Sequence, residues 1–243
     1  MSIKTTRNYS PNFYQEKRSK NHINSLVIHY TGMKSEKAAL NRLTKIQSQV
    51  STHYLIKKDG RIFVIVPDLY VAWHAGASSW KKKKFLNSSS IGIELTNPGH
   101  YLNYKSFSKK QINSLIKLSK FLIRKYKINK KNILGHSDIA PDRKMDPGEK
   151  FPWKYLAKKN IGIWHNLKKN ILIKLRITKC SNYEKKKFLK NLYAIGYSKK
   201  PMKYMSKEKY TKFIVKAFQR RFRQELINGK IDKECFLISQ NLT

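Results

Sequence analysis

Short apolar runs and longer stretches with helical spacing alternate along the first part of the chain. Apolar runs of strand length cover residues 24–31, 51–56, 61–66, 90–96 and 132–134. Between them, residues 35–49 and 108–126 carry apolar side chains at the spacing of one helix face. Strands that alternate with helices in this way predict an α/β fold with a mixed central β-sheet flanked by helices.

Three local signals support these elements. Lys58-Asp59-Gly60 separates the second and third strand runs, and Asp-Gly in such a place is typical of a hairpin. Ser108 followed by Gln111 forms a capping-box pattern at the start of the second helix. In the run at residues 90–96, apolar side chains alternate with the others, so Glu94 is predicted to point away from the apolar face.

The character of the sequence changes after Trp153. Residues 154–179 form a basic, mixed connection, and three helical patterns follow at residues 183–193, 206–226 and 232–242. An apolar stripe on the middle helix is interpreted as core, and it comprises Phe213, Ala217, Phe218, Phe222 and Leu226. The patterns predict an irregular N-terminal arm at residues 1–21, an α/β domain at 22–160, a linker at 161–180 and a small three-helix domain at 181–243.

Composition adds an extreme positive charge. The 243 residues include 53 lysines and arginines against 14 aspartates and glutamates, which gives a formal net charge of +39. Such a balance is typical of proteins that bind polyanions. The lysines are spread along the whole chain, however, and no helix-turn-helix, zinc-finger or basic-aromatic pattern accompanies them. We therefore expect no nucleic-acid partner, whereas attraction to anionic polymers of the cell envelope stays open.

Two cysteines, Cys180 and Cys235, do not make a disulfide framework, and their spacing is not that of a metal-binding pair. We interpret them as core thiols and leave open whether they pair. The first 20 residues are polar and basic without the apolar segment of a secretory signal. No segment reaches the length of a membrane span. The compartment is left open between the cell envelope (periplasm) and the cytoplasm.

Two of the predicted strands end in a histidine. His29 closes the first run, and His136 follows the run at 132–134 in a segment where Pro141 and Pro147 exclude regular structure. Asp146 lies in the same segment, on a loop able to fold back beside His136. A histidine at a strand end is more often a packed residue than a ligand. Two imidazoles and one carboxylate would nevertheless leave one corner of a tetrahedral zinc open, which is the catalytic pattern.

The order of the motifs resembles a known enzyme family. The chain carries HYTG at residues 29–32, AWHAG at 72–76, IGIEL at 91–95 and GHSDIAPDRKMDPG at 135–148. In this order they resemble the type-2 N-acetylmuramoyl-L-alanine amidases of the AmpD and AmiD branch. The resemblance implies zinc-dependent cleavage of the amide bond between N-acetylmuramic acid and L-alanine in peptidoglycan or muropeptides, with one zinc ion per chain.

The resemblance also assigns roles to individual residues. It implies that His29, His136 and Asp146 are the zinc ligands. It implies Glu94 as the general base and Lys144 as the cation that stabilises the oxyanion. Without the motifs, Glu94 would be interpreted as a surface carboxylate and Lys144 as one more solvated lysine.

Further residues are expected to line the substrate cleft, and they are Tyr30, His53, Trp73, His74 and Asn97. Trp73 and His74 are the strongest of these because they lie in the AWHAG motif. The remaining histidines are expected at the surface, and they are His22, His100 and His165.

The three-helix region resembles, more weakly, the small peptidoglycan-binding domain that follows the catalytic domain in AmiD-type enzymes. Residues 217–223 and the Asn-Gly-Lys-Ile-Asp turn at 228–232 carry this likeness. A helical domain favours intact peptidoglycan as substrate, whereas the lack of a signal favours anhydro-muropeptides, and both stay open. The alternative from another class is a muropeptide recognition protein without activity. Such proteins typically lack a ligand, and here every ligand position is filled.

Overall fold

The computed structural model describes residues 3–201 and 204–243. Ten strands occur in this part of the chain: β1 (Thr6–Arg7), β2 (Phe13–Tyr14), β3 (Ser25–Tyr30), β4 (Tyr54–Ile56), β5 (Ile62–Val64), β6 (Val71–Ala72), β7 (Ser79–Trp80), β8 (Lys83–Lys84), β9 (Ser90–Leu95) and β10 (Ile133–Gly135). The α-helices are α1 (Glu36–Thr44), α2 (Lys109–Tyr126), α3 (His136–Ile139), α4 (Trp153–Lys158), α5 (Lys169–Leu175), α6 (Asn182–Ile195), α7 (Lys207–Phe222) and α8 (Lys233–Leu242).

A six-stranded sheet organises the molecule, with the strand order β1-β5-β4-β9-β3-β10. Strands β4, β9, β3 and β10 run parallel to one another, whereas β5 pairs antiparallel with β4. The sheet is therefore mixed, and helices cover both of its faces, which confirms the predicted fold class. The β4–β5 hairpin turns at Gly60, whose φ of +88° suits glycine.

Helix α2 covers one face of the sheet. Its buried positions include Ile112, Leu115 and Leu122, which join the same apolar cluster as Ile91 and Ile93 of β9. The predicted capping box is present, because the Ser108 side chain accepts from the Gln111 N–H and the Gln111 side chain accepts from the Ser108 N–H. The alternation predicted for β9 is confirmed, since its isoleucines pack under α2 while Gly92 and Glu94 belong to the opposite face.

The C-terminal helices pack against the opposite face. One apolar cluster contains Val27 of β3 and Leu134 of β10 together with Phe188 of α6 and Phe218 of α7. The three helices predicted in this region are present, although Met202 and Lys203 between them lie outside the described residues. Because sheet and helices share one cluster, burial of apolar surface binds the helical unit to the sheet.

Several predicted boundaries are wrong. Helix α1 ends at Thr44 rather than near Gln49, because Lys45 is extended and its carbonyl accepts from the Asn12 side chain. Helix α7 ends at Phe222 rather than Leu226, because Arg223 leaves the helix and directs a buried guanidinium to Asp232, 2.6 Å away.

The N-terminal arm is also more ordered than predicted. Its first two residues lie outside the described part, but β1 pairs with β5 and β2 pairs with β6. Arg18 is buried and donates to three backbone carbonyls at Asn87, Ser88 and Ser90. The predicted linker contains a helix, α5, whose Leu172 is buried. Both cysteines are buried, unpaired thiols in the described part of the chain. Among residues 3–201 and 204–243, no helix combines the length and apolar character needed to cross a membrane.

Candidate metal centre and substrate cavity

The sheet brings the two strand-end histidines together. β3 and β10 are parallel neighbours, and Gly135 lies opposite Ile28. The next residue in the chain after each of them is a histidine, so His136 lies beside His29. The two Nδ1 atoms are 2.9 Å apart, and each lies 3.1 Å from Oδ2 of Asp146. All three side chains are buried. Three ligand-type atoms therefore converge on one point at the carboxyl ends of two parallel strands.

The loop after α3 delivers the carboxylate. The Asp146 carbonyl accepts from the Ser137 N–H at 2.8 Å, which folds the loop back onto the turn that begins at His136. Burial alone would raise the pKa of Asp146, but His136 and His29 hold it far below its usual range. Burial lowers the pKa of His136 to about 4, against the opposing charge of Asp146. The three side chains thus offer one carboxylate oxygen and two imidazole nitrogens, a set of atoms that can bind a cation.

The far nitrogens of both histidines are also occupied. His136 Nε2 lies 3.2 Å from the Ala75 carbonyl oxygen, and His29 Nε2 lies 3.1 Å from Nδ1 of His74. Burial lowers the pKa of His74 well below its ordinary value, so its ring is neutral. Each candidate ligand is therefore oriented by a neighbour, as metal-binding histidines generally are.

A cavity of about 270 Å³ opens beside the three side chains. Its walls include aromatic and charged groups, among them Tyr30, Arg42, Trp73, Glu94, Tyr101 and Lys144. The cavity is also lined by His29, His74, His136 and Asp146. A concave site that combines aromatic surface with convergent polar groups is the usual form of a small-molecule site.

Glu94 faces this cavity from β9. Its backbone is in register with His29 on the neighbouring strand, so the two side chains lie on the same face of the sheet. The residue is half-buried, but its Oε2 atom is enclosed and has no hydrogen-bond partner among the residues described. Burial raises the pKa of Glu94 to about 8, the charge of Asp146 adds to this shift, and Lys144 opposes it. A carboxyl group that titrates near neutrality is suited to proton transfer.

Lys144 is half-buried and lines the same cavity two residues before Asp146. Its backbone N–H donates to the Ala140 carbonyl at 3.0 Å, which closes the turn ahead of the ligand loop. Glu94 lines the same cavity, and the positive charge of Lys144 lowers the pKa of that carboxyl against the effect of burial. The predicted pair of charged side chains therefore lies together at the cavity.

The residues predicted to line the cleft divide into two groups. Tyr30, Trp73 and His74 line the cavity, with the Tyr30 hydroxyl 2.8 Å from His100 Nδ1. His53 does not, because it is fully buried beneath the site, where its Nδ1 accepts from the Gly92 N–H. Asn97 is also outside, because its side chain is used to hold the following loop.

Asn97 lies outside the cavity because its side chain bonds to the backbone of the loop that follows it. Its Nδ2 donates to the Lys105 carbonyl at 2.7 Å, and its Oδ1 accepts from the Gly99 N–H at 3.0 Å. For His100 the surface prediction is wrong as well, because the half-buried ring lies between Tyr30 and Glu149, with Nε2 3.0 Å from the Glu149 carboxylate. These errors share a cause, since sequence spacing does not reveal which loop a polar side chain supports.

Two arginines of the site were missed. Arg42 and Arg143 line the cavity, and Arg143 donates to the backbone carbonyls of Ala75 and Ala77. Arg143 therefore ties the ligand loop to the segment that holds His74. The available signal was its position inside the motif at residues 135–148, next to Lys144.

A mixed sheet brings a His–His–Asp group that could hold a metal ion, and the Glu94 carboxyl, to one cavity, which is an arrangement suited to hydrolysis. Comparison with known proteins gives the family. Residues 19–149 match the family described as N-acetylmuramoyl-L-alanine amidase. The chain is 37% identical over 232 residues to N-acetylmuramoyl-L-alanine amidase AmiD of Escherichia coli (strain K12), an alignment that covers 90% of this chain and 82% of that protein. The chain belongs to the N-acetylmuramoyl-L-alanine amidase family, and its reaction class is amide hydrolysis.

Solved structures agree with this assignment. The structure of AmiD from E. coli in complex with anhydro-N-acetylmuramic acid-L-Ala-D-γ-Glu-L-Lys superposes with a TM-score of 0.80 at 36% identity, covering 94% of this chain and 91% of that one. AmpDh3 from Pseudomonas aeruginosa gives a TM-score of 0.78 at 31% identity, with 94% and 92% covered. Both alignments extend over nearly the whole chain, so the fold they share includes the C-terminal helices.

Proposed function

We propose that the chain hydrolyses the amide bond between N-acetylmuramic acid and L-alanine in muropeptides, with zinc held by His29, His136 and Asp146. The observation that carries the proposal is the convergence of these three side chains beside an unpartnered Glu94 carboxyl in one cavity. The E. coli AmiD structure was obtained with an anhydro-muropeptide described as its substrate. This likeness supports the same class of substrate for the present chain.

The donor atoms fit zinc. Zinc binds imidazole nitrogen at about 2.0–2.1 Å, and tetrahedral ligands at such distances lie about 3.3 Å from one another. The three donor atoms here are 2.9–3.1 Å apart, so small shifts would accommodate the ion. Two nitrogens and one oxygen also form the set typical of catalytic zinc, in which a fourth position stays open. When bound there, zinc supplies Lewis acidity that acidifies water and polarises an amide carbonyl.

Glu94 is assigned as the proton carrier. Its Oε2 is enclosed without a protein partner in the described part of the chain. Burial raises the pKa of Glu94 to about 8 in the metal-free chain, and a bound dication would lower it, which favours the carboxylate that a general base requires. Glu94 takes a proton from the attacking water and delivers it to the leaving nitrogen of L-alanine. This transfer converts a poor leaving group into a neutral amine.

Lys144 is assigned to the oxyanion. Addition of water to the amide places negative charge on the former carbonyl oxygen, and a cation held at the cavity wall stabilises that charge. The aromatic surfaces of Tyr30 and Trp73 are suited to pack against the apolar side of a sugar ring. For the C-terminal helices, the sequence likeness at residues 217–223 supports a shared fold with peptidoglycan-binding domains, because most of these residues are buried. Any contact with polymer would be made by the exposed faces of the helices.

The test uses two substrates and one readout. The zinc-loaded chain is incubated with intact sacculi and with purified anhydro-muropeptides, and the products are identified by mass spectrometry. We expect stem peptides that begin with L-alanine, loss of the activity on chelation and its recovery with zinc. Binding of muropeptide without release of peptide would instead identify a recognition protein. The ratio of the two rates assigns the preferred substrate and tests the role of the helices on polymer.

A further inference from the structure

One segment contacts the outer nitrogens of both candidate zinc-binding histidines. Trp73, His74 and Ala75 follow strand β6, and the His74 ring meets His29 Nε2 at 3.1 Å while the Ala75 carbonyl meets His136 Nε2 at 3.2 Å. The Arg143 guanidinium lies 3.5 Å from His136 Nε2, but it donates to the Ala75 carbonyl, which is the nearer partner of Nε2. Because a carbonyl only accepts hydrogen bonds, His136 Nε2 carries the proton and its Nδ1 presents a lone pair. Which nitrogen of His29 carries the proton depends on which nitrogen of His74 carries one, because His29 Nε2 faces His74 Nδ1.

Ser90 determines the protonation of His74. The Ser90 hydroxyl donates its single proton to the Leu86 carbonyl at 2.6 Å, so its oxygen has only lone pairs to offer His74. That oxygen lies 3.2 Å from His74 Nε2, which therefore carries the proton of the neutral ring. His74 Nδ1 is then an acceptor for His29 Nε2–H, and Nδ1 of His29 is left as a lone pair directed at the metal position.

We propose that His74 is a positioning residue of the metal centre, which fixes His29 in the tautomer and orientation that bind zinc through Nδ1. The proposal rests on the proposed function, because it takes His29 as a zinc ligand. It replaces the expectation that His74 contacts substrate. Both nitrogens of the ring are engaged, and only 9% of the residue is exposed.

The packing around His74 holds the ring in place before any ligand arrives. Asn87 Oδ1 accepts from the backbone N–H groups of His74 and Ala75, at 3.1 and 2.7 Å. The ring lies directly on Gly92 of β9, where an added Cβ would be 2.5 Å from His74 Cγ. Glycine at this point of IGIEL is therefore required by the close approach of the ring, and the AWHAG and IGIEL motifs meet here.

The experiment measures zinc affinity of the full-length chain by competition with a chromophoric chelator, which does not depend on turnover. His74→Leu removes the acceptor, and we expect zinc to bind about 10- to 100-fold more weakly, the effect typical of lost outer-shell partners. His74→Asn is the matched variant, because Asn Oδ1 takes the position of His Nδ1, and we expect most of the affinity to be kept. Ser90→Ala leaves His74 in place but frees its tautomer, and a loss of about three- to tenfold is expected.

The controls separate the possible failures. His22→Leu replaces an exposed histidine and should bind zinc as the wild type does. Folding of each zinc-free variant is checked by circular dichroism. A folded His74→Leu protein with wild-type affinity overturns the proposal. If His74→Leu fails to fold, Ser90→Ala decides, since unchanged affinity there overturns it too. Failure of the wild type itself to bind zinc would instead refute the proposed function.

Discussion

The candidate metal centre and the contact with the C-terminal helices each enclose a carboxyl group, Glu94 and Asp138. Asp138 has hydrogen-bond partners, whereas Oε2 of Glu94 has none among the residues described. At the helical contact, Asp138 accepts from the Gly135 N–H and the Tyr197 hydroxyl, each at 2.7 Å, and pairs with Arg221. At the metal centre, Oε2 of Glu94 is enclosed without a partner. Buried polar groups are normally satisfied, but Arg221 Nε at the helical contact also lacks a partner within residues 3–201 and 204–243, so an unpartnered atom alone does not mark chemistry. Glu94 differs because it also lines the cavity beside His29, His136 and Asp146.

The two regions are joined through one short turn. Asp138 lies two residues after His136, and Arg221 also donates to the Ile133 carbonyl at 2.8 Å and lies 4.4 Å from the ring centre of Trp153. The C-terminal helices therefore hold the strand end next to His136, one of the proposed zinc ligands. They are part of the structure of the catalytic site, in addition to any contact that they make with polymer.

Removal of a ligand should give the largest effect. His136→Ala leaves two donors, so we expect zinc to be lost and turnover to fall by about 1000-fold or more, because the metal supplies several kcal/mol of transition-state stabilisation. Zinc content is measured by atomic absorption and turnover by release of stem peptide. A folded His136→Ala protein that retains amide cleavage would contradict the assigned site.

Glu94→Gln should separate chemistry from metal binding. We expect turnover to fall by about 100- to 10,000-fold, the usual contribution of a general acid–base group, with zinc retained. An isosteric amide cannot carry the proton, while the shape of the cavity is kept. Retention of wild-type turnover would remove Glu94 from the mechanism.

The same variant has a stability signature in the zinc-free protein. The pKa of Glu94 in the folded chain, about 8, exceeds its ordinary value of 4.5, so the folded chain holds a proton that the unfolded chain releases between these pH values. Wild-type stability should therefore fall relative to Glu94→Gln as the pH rises from 4.5 to about 8, and the gap should stay constant above that. Urea denaturation across this range measures the gap, and a constant difference throughout would contradict the raised pKa.

Breaking the contact between the C-terminal helices and the sheet should mainly lower the free energy of unfolding. Arg221→Leu leaves Asp138 buried without its cation, and we expect a loss of about 3–5 kcal/mol in the free energy of unfolding. Adding Asp138→Asn removes the unpaired charge, so the double variant should regain part of this loss. Tyr197→Phe removes one hydrogen bond to the same carboxylate and should cost about 1.5–3 kcal/mol. Additive effects in the double variant would show that the pair is not coupled.

The sequence predicted the α/β class and the β4–β5 hairpin, and it also singled out His29, His136 and Asp146, which the structure brings together. The reasons differ. Alternation and spacing report burial directly, so the apolar side of β9 and the core face of α2 followed from Ile91, Ile93 and Leu115. The site required the order of whole motifs. No single histidine distinguishes itself, since His53 and His29 each lie in a strand-like run, and only His29 joins the group with His136 and Asp146.

The contacts that could not be predicted are long-range polar ones. Arg221 and Asp138 are 83 positions apart, and neither belongs to a pattern that hydrophobic spacing can reveal. Arg18 was assigned to an irregular arm for the same reason, because a buried arginine resembles a surface arginine in sequence. The end of α7 at Phe222 likewise depends on the distant partners of Arg223. The partners of such buried arginines can be identified only from the folded structure, because they lie far apart in the sequence.

Lys144→Met gives the mildest expected effect on activity and sharpens the comparison within the site. The substitution keeps a similar length and removes the charge, so we expect turnover to fall by about 100- to 1000-fold, the range seen when one oxyanion donor is removed. Zinc content should be unchanged, because Lys144 is not a ligand. Lys150→Met is a matched control, since this exposed lysine follows Asp146 in the same loop and its ammonium is bound to the Tyr104 carbonyl. Equal turnover in wild type and Lys144→Met would remove the cation from the mechanism, and equal losses in both variants would assign the effect to loop structure.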